Sequence, residues 1–204
     1  MKRITLLLAA SLICLQLPAQ TRYYQITGMY AEAEYTYQCD VQGKHVRLYN
    51  KANKWTYELI RNKTTGNVAD IEALLPVLED DTWTKPKCHL IVSQAFTVNE
   101  ACMVQNAFPI SVSMYINSTT GRIEEILFEF TNIEAFATIP VSVYRKIEVN
   151  LKKNVWFTST ANGKTLNYIY RWFEAMPNPK DASPNPPPDE YGRKQAGDDA
   201  LLAE

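Results

Sequence analysis

A hairpin pattern between Ile110 and Phe130 leaves this chain little choice of fold. Ile110, Val112, Met114 and Ile116 alternate with Ser111, Ser113, Tyr115 and Asn117, the period of two of a half-buried strand. Ser118-Thr119-Thr120-Gly121 is a turn cluster whose glycine takes positive φ without a Cβ clash. Beyond it Ile126, Phe128 and Phe130 fall on one face, and Glu125, Leu127 and Glu129 on the other. Both strands therefore carry an apolar face, and another element must cover it.

The cover follows directly. Thr138 as N-cap and Pro140 in the first turn predict a helix running to about Asn154. Val143 or Tyr144, Ile147 and Leu151 recur at steps of three and four, while Arg145, Lys146, Glu148, Lys152 and Lys153 occupy the remaining surface. Lys152 and Lys153 also suit the negative helix end. Burying such an apolar side chain is worth roughly 1.5–3 kcal/mol, against under about 1 kcal/mol for an exposed charge pair, so packing decides the orientation. Val155-Trp156-Phe157 resumes extended structure. After a turn at Asn162-Gly163, Leu166, Tyr168, Tyr170 and Trp172 alternate with Asn167, Ile169, Arg171 and Phe173 as a last strand.

The order β-β-α-β, with a glycine turn in the hairpin and a basic helix end running into an aromatic strand, resembles the C-terminal domain of TonB. It is more similar still to secreted bacterial proteins that carry a TonB-C-like module. The likeness rests on TTGRIEEILFEF (119–130), IPVSVYRKIEVNLKKNVWF (139–157) and GKTLNYIYRWF (163–173). These motifs are structural, so the resemblance implies a fold and no activity. That fold is α+β, an antiparallel sheet packed by helices, with a TonB-C-like β-β-α-β unit in the C-terminal half. It also implies an exposed edge strand, a ready means of capturing a peptide. The chain departs from an energy transducer, which needs a retained N-terminal anchor followed by a Pro-rich spacer, because here the Pro-rich segment comes last.

Lys2 and Arg3 precede an apolar run from Ile4 to Leu17, and Leu17-Pro18-Ala19 offers a small residue for cleavage. The expectation is a signal peptide over residues 1–19, cut after Ala19, and a product exported to the periplasm or the cell exterior. The run is shorter than the roughly 20 residues a membrane span needs, so the mature chain is not expected to span a membrane. Cys14 follows Leu12-Ile13 rather than a small residue, which argues against a lipoprotein. The full chain has 21 Lys and Arg against 22 Asp and Glu, and two of those cations lie in the signal segment. The mature chain is therefore mildly acidic and lacks the basic patch that nucleic acid or an anionic membrane attracts.

Three cysteines then remain, Cys39, Cys88 and Cys102. A Cys88–Cys102 disulfide would close a short loop around Phe96 and contribute about 3 kcal/mol, leaving Cys39 a buried thiol. The alternative is three buried, unpaired cysteines.

Residues 20–108 read as a Tyr-rich antiparallel β region with a short helix. Glu34 to Asp40 and His45 to Asn50 alternate as strands around a turn at Val41-Gln42-Gly43-Lys44, and Trp55 to Ile60 alternates as a third. A short helix passes through Val68, Ile71, Leu74 and Leu75 and stops at Pro76. Glu79-Asp80-Asp81 marks a solvated loop, Cys88 to Phe96 reads as a strand, and Val98 to Val104 as a helical turn or a connection. Residues 109–176 hold the β-β-α-β unit. Residues 177–204 are Pro-rich and too poor in apolar side chains to offset their ordering entropy, so they read as a disordered tail or a Pro-rich ligand.

Chemistry leaves few marks. The seven glycines stand apart and form neither a P-loop nor a dinucleotide fingerprint, and no Gly-x-Ser-x-Gly elbow is present. His45 and His89 are too distant in sequence for a helical zinc pair, so neither a metal nor a cofactor is expected. On a strand, Cys88 and His89 would point to opposite faces and share no proton. Glu124, Glu125 and Glu129 read as a charged sheet face or, in an enzyme, as acid and base. Tyr35, Tyr37, Trp55 and Tyr57 form the one candidate binding feature, an aromatic platform for a sugar ring or a peptide. The leading expectation is a non-enzymatic binding domain of the cell envelope whose partner is a protein, peptide or glycan. The alternatives are an envelope hydrolase with dispersed carboxylates and a scaffold subunit.

Overall fold

The structure is a computed structural model that describes residues 22–32 and 34–182. In chain order its elements are β1 (Gly28–Ala31), β2 (Thr36–Gln42), β3 (His45–Asn50), α1 (Ile71–Leu74), α2 (Thr84–Ala95), α3 (Val98–Val104), β4 (Ile110–Ile116), β5 (Ile123–Thr131), α4 (Glu134–Ala137), α5 (Val141–Asn154) and β6 (Ile169–Ala175). The strands form one six-stranded sheet in the order β1-β2-β3-β5-β4-β6, every neighbour antiparallel. The fold is α+β, as expected. The expected signal peptide (1–19) and the part of the tail beyond 182 lie outside the described residues.

The predicted hairpin is β4–β5. Asn117 starts its turn, its side-chain Oδ1 accepting from the amides of Thr119 and Thr120 at 3.0 Å each. Gly121 has φ +70°, and a Cβ there would drive into the main chain of Phe157, whose N–H donates to the Gly121 carbonyl at 2.9 Å. This position accepts glycine only.

The predicted cover is α5. It starts after Pro140, which occupies the N-cap itself, while Thr138 ends α4. Tyr144, Ile147 and Leu151 are fully buried, and the Tyr144 ring stacks on Phe130 (5.1 Å, 13°) and meets Phe128 edge-on (5.2 Å). Alongside it α2 packs against α5 and β6. Cys88, Ile91, Val92 and Ala95 of α2 are buried at helical spacing, so the expected strand from Cys88 to Phe96 is instead helix as far as Ala95. Asp81 caps it, accepting from the amides of Trp83 (3.1 Å) and Thr84 (2.7 Å). Val98 to Val104 is a helix closed by a capping box between Thr97 and Glu100.

Two further expectations are corrected. Trp55 to Ile60 is not a third strand of a meander, because β5 takes the place beside β3, pairing Val46 with Phe130 and Leu48 with Phe128. The sheet thus runs unbroken across the 108/109 boundary. The disulfide is not formed: Cys39 and Cys88 are buried free thiols and Cys102 is exposed on α3. The first six tail residues are ordered, the amide of Asn178 donating to Ser93 Oγ at 3.0 Å and Ala182 packing into the core.

Candidate functional site

The four aromatic residues picked from sequence do not share a platform. Period two holds for Tyr35 and Tyr37, but it points them toward the helices. Tyr37 is fully buried and its hydroxyl donates to Glu148; Tyr35 packs edge-on against it (5.6 Å) beneath Arg145. Trp55 and Tyr57 lie on the opposite face of the sheet. Trp55 is half-buried and stacks on Tyr168 (5.2 Å, 18°), whereas Tyr57 is 60% exposed. The Tyr57 and Tyr49 hydroxyls both donate to Asp40 Oδ2 at 3.0 Å, and Arg47 sits over the Tyr57 ring at 5.7 Å. What remains there is one exposed ring held by polar neighbours.

The carboxylates singled out from sequence are separated by their partners. Glu125 is buried and accepts from the amides of Lys54 (2.6 Å) and Trp55 (2.8 Å), tying the 51–60 loop across the sheet. Glu129 accepts from Arg47 Nε (2.8 Å) and lies 3.3 Å from His45 Nε2, and Glu124 is exposed. The most constrained acid is one that sequence reading placed on the solvent side of the helix. Glu148 is 1% exposed and accepts from Tyr37, from Lys152 Nζ (2.6 Å) and from Arg145 Nη1 (3.0 Å). Burial alone would raise its pKa, but Lys152, Tyr37 and Arg145 together hold the carboxyl below its usual value. This cluster pins α5 to β2.

A concavity lies elsewhere, at the β6 edge of the sheet. It is a cleft of about 480 Å³ with Thr84, Lys85, Cys88 and His89 of α2 on one wall and Arg171, Trp172, Phe173 and Glu174 of β6 on the other, over Met114 and Phe157. Cys88 and His89 are brought into one cleft by the helix that the strand reading missed. Burial pushes the Cys88 thiol up to about 12, a shift that Arg171 only partly offsets. At neutral pH it is therefore a thiol and not an activated nucleophile. His89 packs edge-on against Phe173 (5.4 Å), and burial, then Lys85, lowers its pKa, so it is neutral there too.

The cations in the cleft are poorly partnered. The Arg171 guanidinium sits over the Phe157 ring at 5.3 Å, and neither it nor Lys85 makes an ion pair among the described residues. Beside them β6 ends the sheet. Every second residue of an edge strand turns its N–H and C=O outward, and among the described residues nothing receives those of β6. Sequence reasoning missed Lys85 and Arg171. The available signal was the i, i+4 spacing of Lys85 and His89, which puts both on one helix face once Cys88, Ile91, Val92 and Ala95 are read as helical.

The family described as Domain of unknown function (DUF5043) matches residues 20–172. This chain belongs to that family. A DUF5043 family protein from Bacteroides uniformis ATCC 8492, known from a crystal structure, is similar at 37% sequence identity with a TM-score of 0.72, over 82% of this chain and 94% of that one. No curated protein matches. The DUF5043 match ends at Trp172, within β6, so it takes in the α2 wall of the cleft and the first half of the edge strand. Among the described residues no helix is long and apolar enough to cross a membrane.

Proposed function

We propose that this DUF5043 chain is an exported, non-enzymatic binding domain of the bacterial cell envelope that holds an extended peptide segment of a partner protein against β6. The observation that carries this reading is the unpartnered outer edge of β6 standing over a cleft. An added strand completes the ladder, and its alternate side chains reach the cleft. The TonB-C-like reading of β4, β5, α5 and β6 supports it, since β6 lies outermost, beside β4. Export is supported by the apolar N-terminal segment that follows Lys2 and Arg3. Against a hydrolase stand Glu125 and Glu129, each occupied by structural donors, and the thiol state of Cys88.

Hydrogen exchange tests the binding reading. Addition of a β-prone heptapeptide should slow amide exchange at residues 169–175, while the same peptide N-methylated at alternate residues should not. Slowing confined to the Tyr57 face, or equal slowing with both peptides, sinks it. Mass spectrometry of the mature protein should find Gln20 at the N-terminus, and a retained Met1 would refute export by cleavage.

A further inference from the structure

We infer that the β6 cleft reads the C-terminal end of its peptide, a free carboxylate following an apolar last side chain; this rests on the strand-pairing reading above. Four observations converge on it.

First, Arg171 and Phe173 point toward the helices, whereas Trp172 and Glu174 point to the opposite face, yet all four border the cleft. Residues of both parities border one hollow only where it reaches the strand's edge, so the unpaired main chain of β6 is part of the lining. That excludes a simple acyl chain as the best occupant. An acyl chain would leave those N–H and C=O groups without partners, and a peptide satisfies them.

Second, the floor of Met114, Phe157 and Cys88 is apolar and suits one aliphatic or aromatic side chain. Third, the charge facing it is positive and unspent. Lys85 and Arg171 lack acidic partners, and Glu174, the one acid bordering the cleft, belongs to the residues that point away. The cleft also meets the first turn of α2, a 12-residue helix. Asp81 takes the amides of Trp83 and Thr84 and Pro86 has none, so the Lys85 amide is the donor left over.

Fourth, direction and length select a chain terminus over an internal acidic residue. Every pair in this sheet is antiparallel. An antiparallel strand added to β6 therefore ends toward Ile169 and Arg171, the end at which α2 begins. There the rings of Trp83 and Trp156 meet with centroids 4.7 Å apart, joining the residue before Thr84 in the α2 wall to the residue before Phe157 in the floor, which bounds the cleft at that end. A chain that stops can finish there, and one that continues has to leave the edge.

The test is fluorescence anisotropy on the full-length mature protein, using a fluorescein-labelled peptide Thr-Val-Thr-Val-Thr-Val-Leu with a free C-terminus. The same peptide as its C-terminal amide should bind about tenfold more weakly or worse, the loss expected when a charge-assisted contact to two cations is removed. Lys85→Ala and Arg171→Met should each weaken the free acid by about three- to tenfold and leave the amide unchanged. Lys85 is exposed, so its variant folds irrespective of the cleft. Equal binding of acid and amide overturns the C-terminal inference and leaves strand pairing standing. Failure of both peptides to bind overturns both readings, as does decanoate displacing the free acid at equal affinity.

Discussion

The two faces of the sheet are closed by different means. On one, β2, β3, β4 and β5 present Tyr37, Cys39, Val46, Leu48, Val112, Met114, Ile126 and Phe128 to α2 and α5, and regular elements meet through a continuous apolar layer. On the other, Tyr115, Leu127 and Tyr168 form a small separate cluster covered by an irregular loop that carries Trp55 and Ile60. That loop is held by polar ties. Glu125 binds the amides of Lys54 and Trp55, the Tyr115 hydroxyl donates to the Thr56 carbonyl (3.0 Å), and that of Tyr168 to the Glu58 carbonyl (2.5 Å). A helix satisfies its own main chain and can cover a sheet with apolar side chains alone, whereas a loop must find partners in the surface it covers.

The contrast can be broken from the helical side first. Phe128→Ala removes a fully buried ring from beneath Tyr144 and should cost about 3–5 kcal/mol, read as a large drop in the urea midpoint. Glu148→Gln probes the charged tie within that apolar layer and should cost about 2–3 kcal/mol at neutral pH, since Tyr37 keeps a neutral acceptor while Lys152 and Arg145 lose an anion. Its pH dependence sharpens the assignment. A carboxyl whose folded pKa is lowered contributes stability that is complete above its unfolded value of 4.5 and is lost as pH falls through the folded one. The difference between wild type and Glu148→Gln should therefore shrink below about pH 4.5 and be constant above pH 6.

On the loop-covered face, Glu125→Ala should cost about 1–2 kcal/mol, with faster amide exchange concentrated at residues 53–60. A uniform loss of protection across the helices would show that the faces are not independent. Tyr57→Ala, at the exposed rim, should shift stability by no more than about 0.5 kcal/mol. A larger loss would make the Asp40 cluster part of the core.

Legibility in the sequence follows the same division. The alternation from Ile110 to Phe130 and the Ile147 and Leu151 spacing were readable because a helix-covered sheet writes its burial as period two and period 3.6. The α2 pattern at Cys88, Ile91, Val92 and Ala95 was equally present, but the short apolar run from Leu90 to Val92 imitates a strand. Trp55 to Ile60 alternates without being a strand, because its hydroxyl and carboxylate partners at Tyr115, Tyr168 and Glu125 are remote in sequence. Glu148 looked like a solvent-side charge because periodicity counts apolar residues and is blind to an acid that accepts a hydrogen bond from Tyr37 on another element.

Local pattern alone determined the hairpin and its glycine turn, the helix that covers it, the α+β class and the absence of any phosphate or metal motif. Tertiary structure alone decided that β5 rather than Trp55 to Ile60 lies beside β3, that three cysteines stay unpaired, and that Lys85 and Arg171 face one cleft at a free edge. The reason is range. Side-chain periodicity is set by the neighbouring few residues, while strand order, burial of a charge and the meeting of two cations 86 positions apart depend on contacts that no local window contains.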